Sequence, residues 1–240
     1  MGEAKKVAKT AEKKAKPAAA KAAVKKVAPP RAGKPAPGIL AKKIGMTQIF
    51  DENGSAVPVT VVEAGPCVVL QKKTLEIDGY TALQLGFGAQ KNPNRAETGH
   101  AKASQKGVFS FVRELRSAKI DDFNVGDEIK ADSFVEGDVV NVTGISIGKG
   151  FAGTVKRHHF GRGPMTHGSK NHRLPGSIGA GSTPGHVLKG TRMSGRMGAE
   201  QVTVPKVSVV GVLPEKNLIL LGGTVPGKKN NFVVLRSQTA

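Results

Sequence analysis

The sequence predicts a mainly β protein: a β-barrel with a small α+β insertion, a long extended basic finger and a disordered basic N-terminal tail. Three observations predict it. Short segments rich in Val, Ile and Leu alternate with Gly, Pro and Asn turns, with room for at most one or two helices. From Val139 to Ala199 the chain runs 61 residues without one Asp or Glu. Residues 1–37 carry eleven Lys/Arg against only Glu3 and Glu12.

The strands follow in order. Gly38–Phe50 holds short apolar stretches of strand type, and Asp51-Glu-Asn-Gly54 is a turn in which Asn53-Gly54 supplies positive φ. Ala56–Glu63 is a strand whose Pro58 marks an edge or a strand start. Cys67–Lys72 is another, and the turn Asp78-Gly79 leads into an alternating strand over Tyr80–Phe87. Ala96–Lys106 reads as one short helix, after which Val108–Leu115, Val125–Ile129 and Asp138–Ile147 are strands. Val202–Leu213, the turn Pro214–Asn217, Leu218–Leu221 and Phe232–Leu235 complete the set. The globular domain is thus 38–148 plus 200–240, about 150 residues, with the insertion at about 73–120. That is enough for one domain with a real core. Trp is absent and Tyr80 is the sole tyrosine, so the core is aliphatic.

The charge is partitioned. The formal net charge is +19, of which 1–37 carries +9, 38–148 carries −2, 149–199 carries +9 and 200–240 carries +3. A merely solvated basic face would intersperse acids with its cations; both arms nearly lack them. Residues 148–199 hold nine Lys/Arg, thirteen Gly and five of the six His, and their apolar residues are too sparse to build a core. Such a segment is expected not to fold against itself. Its natural host is a large polyanion with narrow crevices, namely structured nucleic acid. With twenty-five residues out and twenty-five back, it reaches up to about 80 Å fully extended, and about half that when folded back.

Other function classes fare poorly. Cys67 is the only cysteine, so there is no intramolecular disulfide and no Cys-based zinc site; a reducing, cytoplasmic compartment fits. No apolar run approaches the length of a membrane span. The tail has no apolar signal-peptide core, and its Pro29, Pro30, Pro35 and Pro37 end any transient helix over Glu3–Ala28. Gly148-Lys-Gly-Phe-Ala-Gly153 fits G-x-G-x-x-G, yet no acid follows before Glu200 to hold a ribose. The P-loop pattern fails as well, because Gly144 and Gly148 are one residue too close and Gly150 replaces the Ser/Thr. The spacing of His158, His159, His167 and His172 is not that of a helix-face metal pair, and no metal is expected. Ser169 and Ser182 have no acid nearby to orient a base, and the acids at 51, 52, 121, 122, 127 and 128 sit in turns. No catalytic residue, cofactor or small-molecule substrate is expected.

The remaining candidates are RNA contacts. Lys149, Lys156, Arg157, Arg162, Lys170, Arg173, Lys189, Arg192 and Arg196 supply charge; His158, His159, His167, His172 and His186 supply imidazoles for ribose, base and phosphate. Gly148, Gly150, Gly153, Gly176, Gly179 and Gly185 let the backbone approach the RNA closely. Phe151 and Phe160 are the only aromatics, too few for a single-strand stacking platform; folded RNA suits the set better. Two alternatives stand beside this reading. A chromatin-compacting protein would explain the tail but not an acid-free loop with a Gly/Pro pattern, and a barrel enzyme acting on a phosphate substrate lacks an acid/base constellation.

Several motifs resemble the ribosomal protein L3 family of the large subunit. Phe134, Asn141, Gly144, Ser146 and Gly148-Lys-Gly-Phe-Ala-Gly-Thr-Val-Lys-Arg157 match its signature in type and spacing. Gly38–Phe50 resembles the family's start; His167-Gly-Ser, Arg173–Gly179, Thr183-Pro-Gly185 and Arg192–Gly198 resemble its finger, and Val225-Pro-Gly227 its last turn. The resemblance implies a translation-factor-type barrel on the bacterial large subunit, with large-subunit rRNA and neighbouring ribosomal proteins as partners. It also implies a finger running toward the peptidyl-transferase centre, a part in early subunit assembly, and no catalysis. Some bacterial members carry a methylated Gln in the turn after Ser-Ile-Gly. Here that turn reads Ala180-Gly181-Ser182, so Gln methylation is not expected there. The tail 1–37 lies outside the resemblance.

Overall fold

A computed structural model describes residues 35–118 and 120–238. The tail helix expected over Glu3–Ala28 lies outside the described residues. In chain order the elements are β1 (Gly38–Phe50), β2 (Ala56–Ala64), β3 (Cys67–Lys73), the single turn α1 (Leu75–Asp78), β4 (Ala82–Ala89) and α2 (Arg95–Ala101). Then come β5 (Phe109–Arg116), β6 (Glu128–Ile129), β7 (Val139–Ile145), β8 (Phe151–Ala152), α3 (Thr154–His158), β9 (Gly195–Arg196), β10 (Gln201–Leu213), β11 (Leu218–Gly222) and β12 (Phe232–Ser237).

Six strands close a barrel in the order β1-β12-β7-β10-β11-β2, every pair antiparallel. Alternation builds it. In β7, Val140, Val142 and Gly144 face inward; in β11 Ile219 and Leu221 do; in β12 Val233 and Leu235 do. Closure needs local bending, which the bulges provide. The β10–β7 register shifts between Val204 and Val207. Pro205 lies in that gap and lacks a donor for the ladder. Lys206, at φ 54°, instead donates its N–H to Asn141 Oδ1 at 3.0 Å.

A second sheet, ordered β5-β4-β3-β6, packs on the barrel. The first four residues of β3, Cys67–Leu70, are all buried, and Leu83, Leu85 and Leu115 join Ile39, Leu40 and Val142 in one continuous core. At the seam Phe111 stacks on Phe232 with centroids 4.6 Å apart and planes at 8°, and Phe87 meets the same ring edge-on at 6.0 Å.

Several boundaries differ from the sequence reading. The packed unit starts before Gly38: Ala36 is buried in the core, and Ser237 N–H donates to Pro37 O at 3.0 Å. The insertion is wider than 73–120, because all of β3 pairs with β4 and β6, so the second sheet spans 67–129. The strand expected over Val125–Ile129 shrinks to β6, since Gly126 at φ 93° and the bond from Asp127 N–H to Asn124 O make a turn there. The helix expected over Ala96–Lys106 is α2 plus a 3-10 turn at Lys102–Ser104, ended by Gln105 at φ 54°. Tyr80 precedes its strand, and its hydroxyl donates to Glu114 Oε2 at 2.9 Å.

The burial map separates core from surface. Leu221→Ala is expected to destabilise the protein by about 2–5 kcal/mol in urea unfolding, whereas Ile77→Ala, at a side chain 86% exposed, should stay within about 0.5 kcal/mol. Equal midpoints for the two variants would contradict the assigned core.

Candidate nucleic-acid interface

The basic segment 149–199 leaves the barrel between β7 and β10, and its two arms continue that ladder. Gln201 pairs with Ile145 as the last barrel partners. Beyond them Ser146 N–H donates to Glu200 O at 2.9 Å, Lys149 N–H to Met197 O at 2.9 Å and Met197 N–H to Gly150 O at 3.0 Å. β8 then pairs with β9, Phe151 opposite Arg196 and Ala152 opposite Gly195. The two chains are pressed close here: Gly198 sits at φ 73°, and a Cβ on it would run into the Ile147 carbonyl.

Directly after β8 comes α3, a short helix ended by His159 in the left-handed conformation at φ 58°. Ala152 and Thr154 are buried at this root. Arg157 Nη1 donates to Met193 O at 2.9 Å, and His158 Nε2 donates to the same carbonyl at 3.0 Å. The expectation that the segment does not fold against itself is therefore corrected at its root. A two-residue ladder and a single-turn helix form there, because two side-chain donors satisfy a carbonyl on the opposite arm.

Farther out, local turns take over. Gly163 N–H donates to His172 O at 3.2 Å, and His172 Nδ1 donates to Pro164 O at 3.0 Å. A Cβ on Gly163 would collide with the Asn171 carbonyl. His186 Nδ1 donates to Pro184 O at 2.9 Å, and Thr191 Oγ1 to Leu188 O at 2.7 Å. Three of the five candidate histidines thus brace the backbone through one ring nitrogen, while His159 and His167 are exposed.

The candidate cations fall into two groups. Lys149, Arg157 and Arg196 gather with His158 around one crevice at the root. Lys156 lies exposed on α3, and Arg162, Lys170, Arg173, Lys189 and Arg192 lie exposed along the distal segment. Of the candidate glycines, Gly150, Gly176 and Gly185 have positive φ, and an added Cβ at Gly150 or Gly153 would meet nothing within 4 Å. Gly148 and Gly179 make only ordinary contacts. Sequence reasoning missed Lys43, which reaches the same crevice from β1, and the close approaches at Gly163 and Gly198. No spacing signal links Lys43 to residues more than a hundred positions away.

Chemistry of other kinds finds little support. Among the described residues no three His, Cys, Asp or Glu side chains lie close enough together to hold a metal. Burial pushes the Cys67 thiol up to about 12, only partly opposed by its bond to Leu40 O at 3.2 Å, which leaves it a poor nucleophile. No helix among the described residues is long and apolar enough to cross a membrane.

A closed barrel that projects a long acid-free basic loop, without a catalytic constellation, defines a structural protein built around that loop. Comparison with known proteins identifies the particular family. The profile of the family described as ribosomal protein L3 matches residues 106–211. A large ribosomal subunit protein uL3 of Halalkalibacterium halodurans is 55% identical over 202 residues, covering 83% of this chain and 96% of its own. The uL3 proteins of Geotalea daltonii and Syntrophotalea carbinolica are 54% and 55% identical, each over 83% of this chain and 95% and 96% of their own. The chain belongs to the ribosomal protein L3 family, whose members are structural components of the large ribosomal subunit and not enzymes.

The root geometry predicts a gradient of order. Gly198→Ala places a side chain at a left-handed position against a carbonyl, at a cost of about 1–3 kcal/mol. Amides of Lys149 and Met197 should then exchange faster with solvent, while those of Val140 and Val142 keep their rates. Unchanged exchange at Lys149 and Met197 would show that the crowding at Gly198 does not hold the root.

Proposed function

We propose that this chain is a structural constituent of the large ribosomal subunit that binds large-subunit rRNA through residues 148–199. On this reading it supports early subunit assembly and braces rRNA near the peptidyl-transferase centre, in the cytoplasmic ribosome. One observation carries the proposal. The acid-free stretch is solvent-exposed along nearly its whole distal length, yet it is anchored on a hydrogen-bonded root that extends a barrel ladder. A surface of cations without acids attracts phosphate by releasing condensed counterions. Phosphate contacts position without specifying, so recognition comes from the fold of the RNA. The assembly role, the position near the peptidyl-transferase centre and contacts with neighbouring ribosomal proteins follow from family membership.

The isolated protein should bind structured large-subunit rRNA with a steep salt dependence. If six to ten phosphates are contacted, affinity falls about 10³–10⁵-fold between about 50 and 200 mM salt. A flat salt response in a filter-binding titration would remove the electrostatic basis of the proposal.

The tail 1–37 adds eleven cations with only Val7, Val24 and Val27 as larger aliphatics beyond Met1. Removing residues 1–34 should leave the melting temperature in place while weakening rRNA binding and flattening its salt slope. Identical slopes for the full-length and shortened chains would make the tail a solubilising segment instead.

A further inference from the structure

Three stretches of chain meet where the finger leaves the barrel. One is β1 at its bulge, where pairing with β2 shifts between Lys43 and Gly45. The second is the finger root. The third is the turn at 224–227 between β11 and β12. Together they enclose a crevice of about 690 Å³, within the size range of clefts that bury a ligand of several rings. Its charged lining is lopsided: Lys43, Lys149, Arg157, His158 and Arg196 against Glu200 alone.

Lys43 sets the geometry. Its ammonium donates to Val225 O at 2.7 Å and to Gly227 O at 3.0 Å, which ties β1 to the turn. An ammonium has three donors, so one remains for the crevice. Burial lowers the Lys43 pKa from the ordinary lysine value, so an anion in the crevice would offset a cost the free protein already bears. Arg157 uses Nη1 on Met193 O and keeps the rest of its fork, while Lys149 and Arg196 are exposed.

We propose that this crevice seats a sharply turned stretch of rRNA sugar–phosphate backbone, two or more consecutive phosphates, with Lys43 of the barrel as one of its ligands. The proposal rests on the reading of the finger as an rRNA-binding element and adds to it a defined seat that includes a residue outside the finger. Several converging cations match several phosphates better than one, and guanidinium forks bind phosphate oxygens in pairs. The crevice contains no aromatic ring on which a base would stack. Met46, Ile147, Val225 and Met197 provide apolar walls suited to ribose. A seat for backbone rather than base is the match.

The test uses the full-length protein and a large-subunit rRNA fragment, with affinity measured at several salt concentrations and the RNA backbone mapped by hydroxyl-radical footprinting. The root variant is Lys149→Gln with Arg196→Gln; the distal variant is Lys170→Gln with Arg173→Gln. All four side chains are exposed, so folding is not at stake. The root variant should lower the salt slope by about 2, at about 0.9 for each phosphate no longer neutralised, and uncover one contiguous backbone stretch. The distal variant should uncover a different stretch. Lys43→Met, which keeps the apolar stem, should uncover the root stretch again; if it also lowers the melting temperature, the exposed-pair variant decides. A root variant with an unchanged slope and footprint, beside a distal variant that weakens binding, would overturn the seat and leave the finger reading standing. If neither variant alters binding, both fall.

Discussion

Everything that distinguishes this chain from an ordinary small barrel depends on the β7–β10 ladder. A closed barrel has no free edge, so a projection can leave it only where two neighbouring strands run on past the rim. β7 and β10 are such neighbours. Their pairing from Ser208–Val139 to Gln201–Ile145 passes without interruption into the Ser146–Glu200 and Lys149–Met197 bonds. The finger's ends are therefore held together by backbone bonds whose cost is shared with the barrel. Loop-closure entropy grows only with the logarithm of length, so a long excursion between adjacent strands is tolerated. Its direction at the start is that of the ladder.

Charge follows the same division. The folded part 38–148 is near neutral, with its acids in turns and in pairs such as Lys73–Asp78 at 2.9 Å and Lys106–Glu128 at 3.1 Å. The finger has nine Lys/Arg and no acid before Glu200. Cations strung along an exposed chain repel one another and favour extension. The root is where they are nonetheless gathered, held by backbone hydrogen bonds to Met193 and to the turn at 224–227. An arrangement that concentrates like charge at one place gains most from a polyanion.

Much of this was legible in the sequence, for physical reasons. The barrel strands follow from period-two burial, as in Val140, Val142 and Gly144. The finger followed from missing acids, a property of composition that needs no geometry. What escaped depends on contacts distant in sequence or on very short elements. Nothing in the run Cys67–Lys73 reveals that it belongs to the second sheet; that depends on pairing with β4 and β6. α3 has five residues and β8 and β9 two each, below the length at which periodicity exists. α1 was hidden in what read as a simple Asp78-Gly79 turn, where Gly79 at φ 77° serves as its C-cap. Lys43 read as an ordinary strand lysine, because only the tertiary fold brings the turn at 224–227 against it.

The distal finger poses the remaining physical problem, that of gaining selectivity without a core. Uniform cations bind any phosphate, and a fully flexible loop would lose much of its gross interaction energy to ordering. Leu174 and Leu188 are each 65% exposed, so apolar burial within the protein does not fix this segment. Short-range bonds fix it instead. His172 clamps Pro164, His186 closes on Pro184, Thr191 closes on Leu188, and Gly163 lies so close to Asn171 that only a hydrogen fits there. Each device orders a few residues without needing a buried face. The shape presented to RNA is partly set before binding, and exposed apolar side chains such as Leu174 remain available to be covered by the partner. Histidine suits both tasks: one ring nitrogen holds a carbonyl of the loop while the other faces outward, so the group that shapes the finger also belongs to its contact surface.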